Sequence, residues 1–458
     1  MRSIGKLDQW STQSWVQFCG LLSLAFTIAF SVAWPHEYMF DDGAIVLRYM
    51  DNFAAGEFYK YNLQDQPVFG VSGFIHAIVA GAMAASRIVS PEWSLRLSNG
   101  LGVLLTSWAI LLVLRRATNS LPSILAGWAF VLLSSYYFLG TAFQGLESPL
   151  HLAIVLLALW AFLAGRRATM WALFALSIVS KLDAVPIVAI LILLRAASLR
   201  GRAQWSAELR TAGLFGALPL LVWAGFTLLV FGSPMPQSAY AKLGFHHHPP
   251  SRAGFVTEWW FREDRHILAY WALTGLGLLA LVIRRQFAFA VRLLSMPLAS
   301  LGVLGLFMVY NPGERMPWYY VLPQVLFVLG VASIVLACLR MLPGRVSAVL
   351  AILALVLAYP SGRDKADEFV LAQLAFIRMA EPERIGIGRW IDRVAGPGDT
   401  VMAGSGYIAR YGRRYTYDAS GLNSPAVTDA FEKKLNPVQL LEPDWWVRDR
   451  FVWPVEQE

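Results

Sequence analysis

Runs of about 20 apolar residues recur along this chain, and they constrain its fold more than any other feature. Each run is long enough, as an α-helix, to cross the hydrocarbon core of a bilayer. Apolar residues make up 57% of the 458 positions and charged residues only 15%, which is less charge than soluble domains of this size carry. We therefore predict a mainly α, polytopic membrane protein with about 11 spans.

The first run, 15–34, has no small-residue cleavage site behind it, so we interpret it as a retained span rather than a signal peptide. Two later runs are less regular. If 73–90 is re-entrant and 168–195 breaks at Asp183, the arginine pairs 115–116 and 166–167 lie on the cytoplasmic side, as the positive-inside rule expects. In order, the predicted apolar runs are 15–34, 73–90, 94–114, 121–140, 149–164, 168–195, 212–231, 266–284, 288–310, 319–339 and 346–360.

Arginine-rich loops indicate the cytoplasmic side of the membrane. They lie at 195–210, 284–285 and 340–345. The alternation of spans then places the acidic loop 35–72 and everything after 361 on the extracytoplasmic face. These loops also account for the net charge of +8, which therefore gives no indication of a nucleic-acid partner.

The composition changes at Ser361, where charge returns. Residues 384–394 have helical periodicity, 396–399 form a turn, and 400–403 and 414–417 are typical of strands. We predict a transmembrane domain at 1–360 and a small extracytoplasmic α/β domain at 361–458.

Two adjacent carboxylates, Asp41 and Asp42, directly follow the first span. Asp41 is placed to cap a helix whose apolar face lies in the membrane interface, and Gly56 is a natural end for that helix. Adjacent acids alone are explained equally well by a capped, solvated helix start.

Five polar clusters interrupt the apolar chain on the predicted outer face. They are Asp41/Asp42 with Arg48, Gln144 with Glu147, Lys181 with Asp183, Gln237 with Tyr240 and Lys242, and Glu314 with Arg315 ahead of Trp318-Tyr319-Tyr320. Ionisable groups at membrane depth are costly and indicate a substrate path or mutual pairing. The structural alternatives are a buried Lys181–Asp183 pair at a helix break, a helix-start acid for Glu147, and an aromatic belt for the Trp-Tyr-Tyr run.

Three successive histidines, 246–248, cannot converge on one metal and are interpreted as a solvated loop.

Several motifs in fixed order carry a resemblance to a known superfamily. They are Phe40-Asp41-Asp42-x5-Arg48-Tyr49, Asn62, Pro67-Val68-x-Gly70, Gly145-Leu146-Glu147-x-Pro149, Gly232-Ser233-Pro234-x-Pro236-Gln237-x-x-Tyr240-Ala241-Lys242, and Asp418-x-x-Gly421-Leu422. Together they resemble the GT-C integral-membrane glycosyltransferases. The sequence is most similar to terminal arabinofuranosyltransferases, and more distantly to lipid A aminoarabinose transferases and protein O-mannosyltransferases. It departs from the family pattern at Lys181-Leu182-Asp183 and at Gly70-Val71-Ser72-Gly73, which bears on the sugar and the acceptor.

The resemblance implies transfer of a sugar, with a pentose such as arabinofuranose as one candidate, from a polyprenyl-phosphate donor in a bacterial inner membrane. The acceptor would be an envelope glycan, lipid or surface protein. The sequence has no Gly-rich nucleotide loop, which agrees with a lipid-linked donor. No cofactor is indicated, and a divalent metal is left open. The alternative class is a transporter of lipid-linked sugars, but the sequence lacks the internal repeats typical of transporters.

Roles follow from this chemistry. A displacement at the anomeric carbon needs a base and a cation for the departing phosphate. We assign Asp41 as base, with Asp42 as an orienting partner that pairs with Arg48 or holds a cation. Lys242 and Arg315 are assigned to the donor phosphate. The remaining predicted substrate-binding residues are Arg48, Glu147, Lys181, Asp183, Gln237 and Tyr240.

Overall fold

The computed structural model describes residues 11–34, 39–244, 267–310, 316–342 and 374–447, with positions 346, 349, 371 and 372. Several predicted features lie outside these residues: Glu314 and Arg315, the histidines at 246–248 and most of the apolar run 346–360.

Helices dominate the described chain, as its apolar runs predict. They are Thr12–Ala33, Asp41–Ala54, Phe74–Ala85, Pro91–Ala117, Leu121–Ser134, Tyr136–Thr141, Ser148–Leu163, Arg167–Ser180, Val185–Ala197, Arg202–Phe231, Gln237–Gly244, Ile267–Ile283, Phe287–Tyr310, Pro317–Leu339, 374–394, Gly406–Gly412, Pro425–Glu432 and Pro437–Leu441. Within these residues, five helices are long and apolar enough to cross a membrane: Gln13–Ala33, Pro91–Ala117, Arg202–Phe231, Phe287–Met308 and Pro317–Leu339. The chain is an integral membrane protein, and the mainly α fold is confirmed; the number of spans is not.

Pro317–Leu339 lies at the centre of the helical assembly, because 89% of its apolar window is buried. Arg202–Phe231 lies at the periphery, with 11% of its window buried, and presents its apolar side chains outward. Close helix packing uses small residues, as in other membrane bundles. A Cβ at Gly102 would lie only 2.7 Å from the carbonyl carbon of Pro149 on the neighbouring helix.

The predicted break in the run 168–195 is confirmed. Arg167–Ser180 ends at Lys181, which is extended at φ −166° and ψ 141°, and a 3₁₀ turn leads into Val185–Ala197. The run 121–140 is also divided, at Ser135, which the sequence prediction missed. Phe74–Ala85 has 12 residues and spans roughly 18 Å, too short to cross a bilayer core of about 30 Å, which fits the re-entrant arrangement.

The first-loop helix, Asp41–Ala54, forms where it is predicted. Gly56 follows its end at φ 92°, a left-handed conformation that glycine adopts without a steric penalty. The predicted capping role of Asp41 is wrong: Phe40 is the N-cap, and no side chain caps this helix. The Asp41 carboxylate bonds to a different helix instead.

A small α/β region follows at 374–447. Its parallel sheet has the order β2-β1-β3, with β1 at Thr400–Ala403, β2 at Tyr415–Asp418 and β3 at Trp445–Val447. Gly406–Gly412 forms the crossover between β1 and β2. The sequence predicted a helix at 384–394 and a strand at 400–403, and the structure has both. The second predicted strand, 414–417, lies one residue later, at Tyr415–Asp418. The domain boundary at 361 remains a prediction, because 350–370 lie outside the described residues.

Candidate active site

A cavity of about 340 Å³ lies where the first-loop helix, the break at Lys181, the helix Gln237–Gly244 and the α/β region meet. Its size falls in the range of small-molecule sites. Part of its wall is apolar and comes from the ends of long helices, including Leu306, Phe307 and Trp318. Its polar lining residues are Asp42, Ser72, Glu147, Lys181, Asp183, Ser238, Lys242, Tyr319 and Asn423.

Asp42 reaches this cavity from the first turn of the first-loop helix. Gly43 allows the approach, because a Cβ at this position would collide with the backbone oxygen of Gln144. This contact brings the start of the helix against the segment that carries Glu147.

Three predicted site residues form one ion-paired group in the cavity wall. The Lys181 ammonium lies 2.7 Å from Glu147 Oε1 and 3.1 Å from Asp183 Oδ2. Gly73 packs closely against this group, because a Cβ at this position would lie 2.6 Å from Glu147 Cγ. Two carboxylates on one ammonium give the group a net negative charge, so most of the positive field of Lys181 is neutralised locally.

Lys242 also lines the cavity and donates a hydrogen bond to the hydroxyl of Tyr319. Its ammonium is 5.0 Å from the centroid of the Tyr319 ring, and that of Lys181 is 5.8 Å from the same centroid. Both cations are therefore within reach of cation–π attraction to Tyr319. The sequence analysis treated this tyrosine as part of an aromatic belt; its position just after the Glu314–Arg315 cluster was the available signal.

Asp41 does not line the cavity. Its carboxylate accepts hydrogen bonds from Ser405 Oγ at 2.6 Å and from the backbone N–H groups of Gly406 and Tyr407 at 3.1 and 3.3 Å. It thus caps the crossover helix of the α/β region, and Arg384 Nη1 lies 3.8 Å away. Burial raises the pKa of Asp41, although the Arg384 charge and these hydrogen bonds act to lower it.

Arg48, Gln237 and Tyr240 also lie outside the cavity lining. The Gln237 amide donates to Thr428 Oγ1 at 2.8 Å, and the Tyr240 hydroxyl accepts from Ser233 at 3.2 Å. The structure therefore gives these predicted substrate-binding residues intramolecular partners. In the sequence, a polar residue that binds substrate looks the same as one that bonds within the protein.

Arg48 ties the first loop to the α/β region. Its buried guanidinium donates to Asn62 Oδ1 at 2.7 Å and to the backbone oxygens of Tyr61 and Arg414 at 2.8 and 3.0 Å. It also donates to Thr416 Oγ1 at 3.1 Å and to the Ala409 carbonyl. Such a fork joins several acceptors through one planar group.

Replacing Arg48 with Met should destabilise this junction by roughly 2–4 kcal/mol, because buried carbonyl oxygens lose their donor. Limited proteolysis of the purified protein should release the α/β region faster than in the wild type. Lys60→Met is the matched control, since its ion pair with Glu57 is partly exposed to solvent and joins two residues within the first loop. Equal protection of the two variants would contradict this role for Arg48.

Residues of the α/β region complete the cavity. Leu422 and Asn423 lie in its lining, although the sequence analysis assigned them no role. The available signal was the Asp418-x-x-Gly421-Leu422 motif, which was noted only as part of the resemblance. Among the described residues, no three His, Cys, Asp or Glu groups lie close enough together to hold a metal ion.

The fold of the described chain is similar to the folds of several solved proteins. ArnT from Cupriavidus metallidurans, bound to undecaprenyl phosphate, superimposes with a TM-score of 0.54 at 14% identity, over 94% of this chain and 91% of that one. The Archaeoglobus fulgidus oligosaccharyltransferase in complex with Zn and sulfate gives 0.57 at 12% identity, over 87% and 62% of the two chains. The arabinofuranosyltransferase AftD from Mycobacteria gives 0.51 at 16% identity; the match covers 96% of this chain and 32% of AftD.

The GT-C resemblance in the sequence is thus confirmed at the level of the fold. Residues 373–456 match a family described as a domain of unknown function (DUF8728). No curated protein matches the sequence.

Proposed function

We propose that this protein transfers a sugar from a polyprenyl-phosphate donor to an acceptor in the cell envelope. The observation that carries the proposal is the cavity itself, which holds the Asp42 carboxylate and the Lys242 ammonium beside an apolar wall of helix ends. A base, a cation for phosphate and a path for a lipid chain are the three requirements of this reaction.

The reaction is a displacement at the anomeric carbon. Asp42 takes the proton of the acceptor hydroxyl as the acceptor oxygen forms its bond to that carbon. The bond from the anomeric carbon to the phosphate oxygen breaks, and its electron pair leaves with the polyprenyl phosphate. Lys242, together with the Tyr319 hydroxyl, stabilises the charge that develops there.

Asp42, rather than Asp41, is the proposed base. Asp42 lines the cavity, whereas Asp41 is engaged by three donors at the crossover helix. This reverses the order of roles inferred from the sequence.

Lys242 is the principal proposed ligand of the donor phosphate, because it lines the cavity and bonds to the Tyr319 hydroxyl there. Lys181 is held by Glu147 and Asp183. Arg315 stays a proposed second ligand. Glu147 and Asp183 have oxygens suited to accept hydrogen bonds from sugar hydroxyls, and Lys181 holds the two acids in place. We extend the proposal to the extracytoplasmic face of a bacterial inner membrane, and to arabinofuranose as the first donor to test. The fold shared with ArnT, solved with undecaprenyl phosphate, and with AftD supports this choice.

The test is transfer by the full-length protein in lipid nanodiscs, given radiolabelled undecaprenyl-phosphate arabinofuranose or hexose and an envelope glycan acceptor. We expect label on the acceptor and release of undecaprenyl phosphate. In proteoliposomes, movement of intact labelled donor between leaflets without cleavage of the lipid–sugar bond would support a transporter instead and contradict the proposal.

A further inference from the structure

The loop between β2 and Pro425–Glu432 brings the α/β region to the cavity. This loop is tied to the rest of the protein on both sides. The Gly421 carbonyl accepts from Gln237 Nε2 at 3.3 Å, and the Asn423 Oδ1 accepts from the Tyr49 hydroxyl at 2.9 Å. The loop therefore bridges the first-loop helix and the helix that carries Lys242.

Asp418 fixes the shape of this loop. One of its oxygens accepts from the Ser420 N–H at 2.9 Å, and the other accepts from the Asn423 N–H at 3.0 Å and from Asn423 Nδ2 at 2.7 Å. Asp418 and Asn423 are both nearly inaccessible to solvent, at 2% and 1% exposure. The Asn423 amide is thus held in one orientation before any ligand binds.

The amide still has bonding capacity. An asparagine side chain offers two N–H donors and two acceptor lone pairs, and the described contacts use one donor and one lone pair. Gly70 makes room for this arrangement, since a Cβ there would lie 3.0 Å from Asn423 Cγ and closer still to its oxygen. A rigid group with one donor and one acceptor remaining, in the wall of a cavity, is suited to bind a polar ligand.

We propose that Asn423 binds hydroxyl groups of a sugar in the cavity, which makes the α/β region a part of the substrate site. This inference rests on the proposed function. A neutral donor–acceptor pair matches neighbouring sugar hydroxyls, which both donate and accept. The charged ammonium of Lys242 is better suited than a neutral amide to bind phosphate. The sugar is that of the donor or that of the acceptor, and the experiment separates the two.

The experiment compares two lipids, undecaprenyl phosphate and undecaprenyl-phosphate arabinofuranose, in binding to the full-length protein by native mass spectrometry. Asn423→Ala should weaken binding of the glycosylated lipid about tenfold, the size expected for one to two lost neutral hydrogen bonds, and leave undecaprenyl phosphate unchanged. If the acceptor sugar is the ligand, both lipids bind normally and the acceptor KM rises about tenfold. Asn436→Ala is the matched control: the exposed Asn436 side chain accepts a hydrogen bond from the Val438 N–H at 3.0 Å and lies outside the cavity lining, so the affinities of this variant should stay at wild-type values.

Tyr49→Phe is a second variant that keeps Asn423 and removes the hydroxyl that holds it. It should give the same pattern with about a threefold effect. Equal weakening of both lipids by Asn423→Ala, or wild-type lipid affinities together with a wild-type acceptor KM, overturns the inference. A wild-type protein that transfers no sugar and binds both lipids equally contradicts the proposed function itself, and the inference falls with it.

Discussion

Asp42→Asn is expected to lower kcat for sugar transfer by about 1000-fold, within the range that a positioned base contributes. The amide keeps the size and polarity of the side chain but cannot take the acceptor proton. Binding of undecaprenyl phosphate, measured by native mass spectrometry, should stay within about threefold of the wild-type value, because Asp42 is not assigned to the phosphate. Transfer is measured with radiolabelled donor under single-turnover conditions.

Asp41→Asn is the matched control, one residue away. Its Oδ1 can still accept from Ser405 or from the N–H groups of the crossover helix, and burial already disfavours the charged form of Asp41. We expect transfer within about tenfold of wild type. A loss confined to Asp41→Asn would return the role of base to Asp41, and near-normal rates in both variants would refute the site.

Lys242→Met is expected to lower kcat/KM for the donor by about 100-fold, since hydrogen bonds to charged groups contribute more than neutral ones. The methionine keeps an unbranched side chain but provides no charge for the phosphate. Binding of undecaprenyl phosphate should weaken by a similar factor, which distinguishes this variant from Asn423→Ala.

Lys433→Met serves as control for the loss of a positive charge, because Lys433 is exposed on the α/β region. It should leave the donor dependence unchanged. If Lys242→Met bound undecaprenyl phosphate as tightly as Lys433→Met, Lys242 would not be a phosphate ligand, and Arg315 would remain the only candidate from the sequence.

The two neighbouring aspartates show how the fold divides one motif between two tasks. Successive side chains on a helix diverge by about 100°, so Asp41 and Asp42 cannot face the same space. Asp41 holds the α/β region, and Asp42 lines the cavity. Because the α/β region also supplies Asn423, the contact made by Asp41 sets the distance between the proposed base and the proposed sugar ligand.

The sequence by itself determined the class of fold and most of its segments. Apolar runs of membrane-spanning length, the end of the first-loop helix at Gly56 and a break in the run 168–195 near Asp183 could all be predicted, because each depends on the local cost of exposing or burying particular residues. A Lys181–Asp183 pair at a helix break was among the sequence alternatives, because charged residues in an apolar chain need partners or a polar cavity, but the contact between Lys181 and Glu147 appears only in the tertiary structure.

Only the tertiary structure decided which polar side chains face the cavity. Arg48 and Asp41 find their partners in the α/β region, more than 300 positions away at Arg414 and Ser405. The same packing brings Asn423 and Tyr319 into the lining. A sequence shows that a buried polar residue needs a hydrogen-bond partner. Whether that partner is protein or substrate depends on the direction of the side chain, which changes by about 100° from one helical residue to the next. Contacts between distant segments of the chain set which direction faces the cavity.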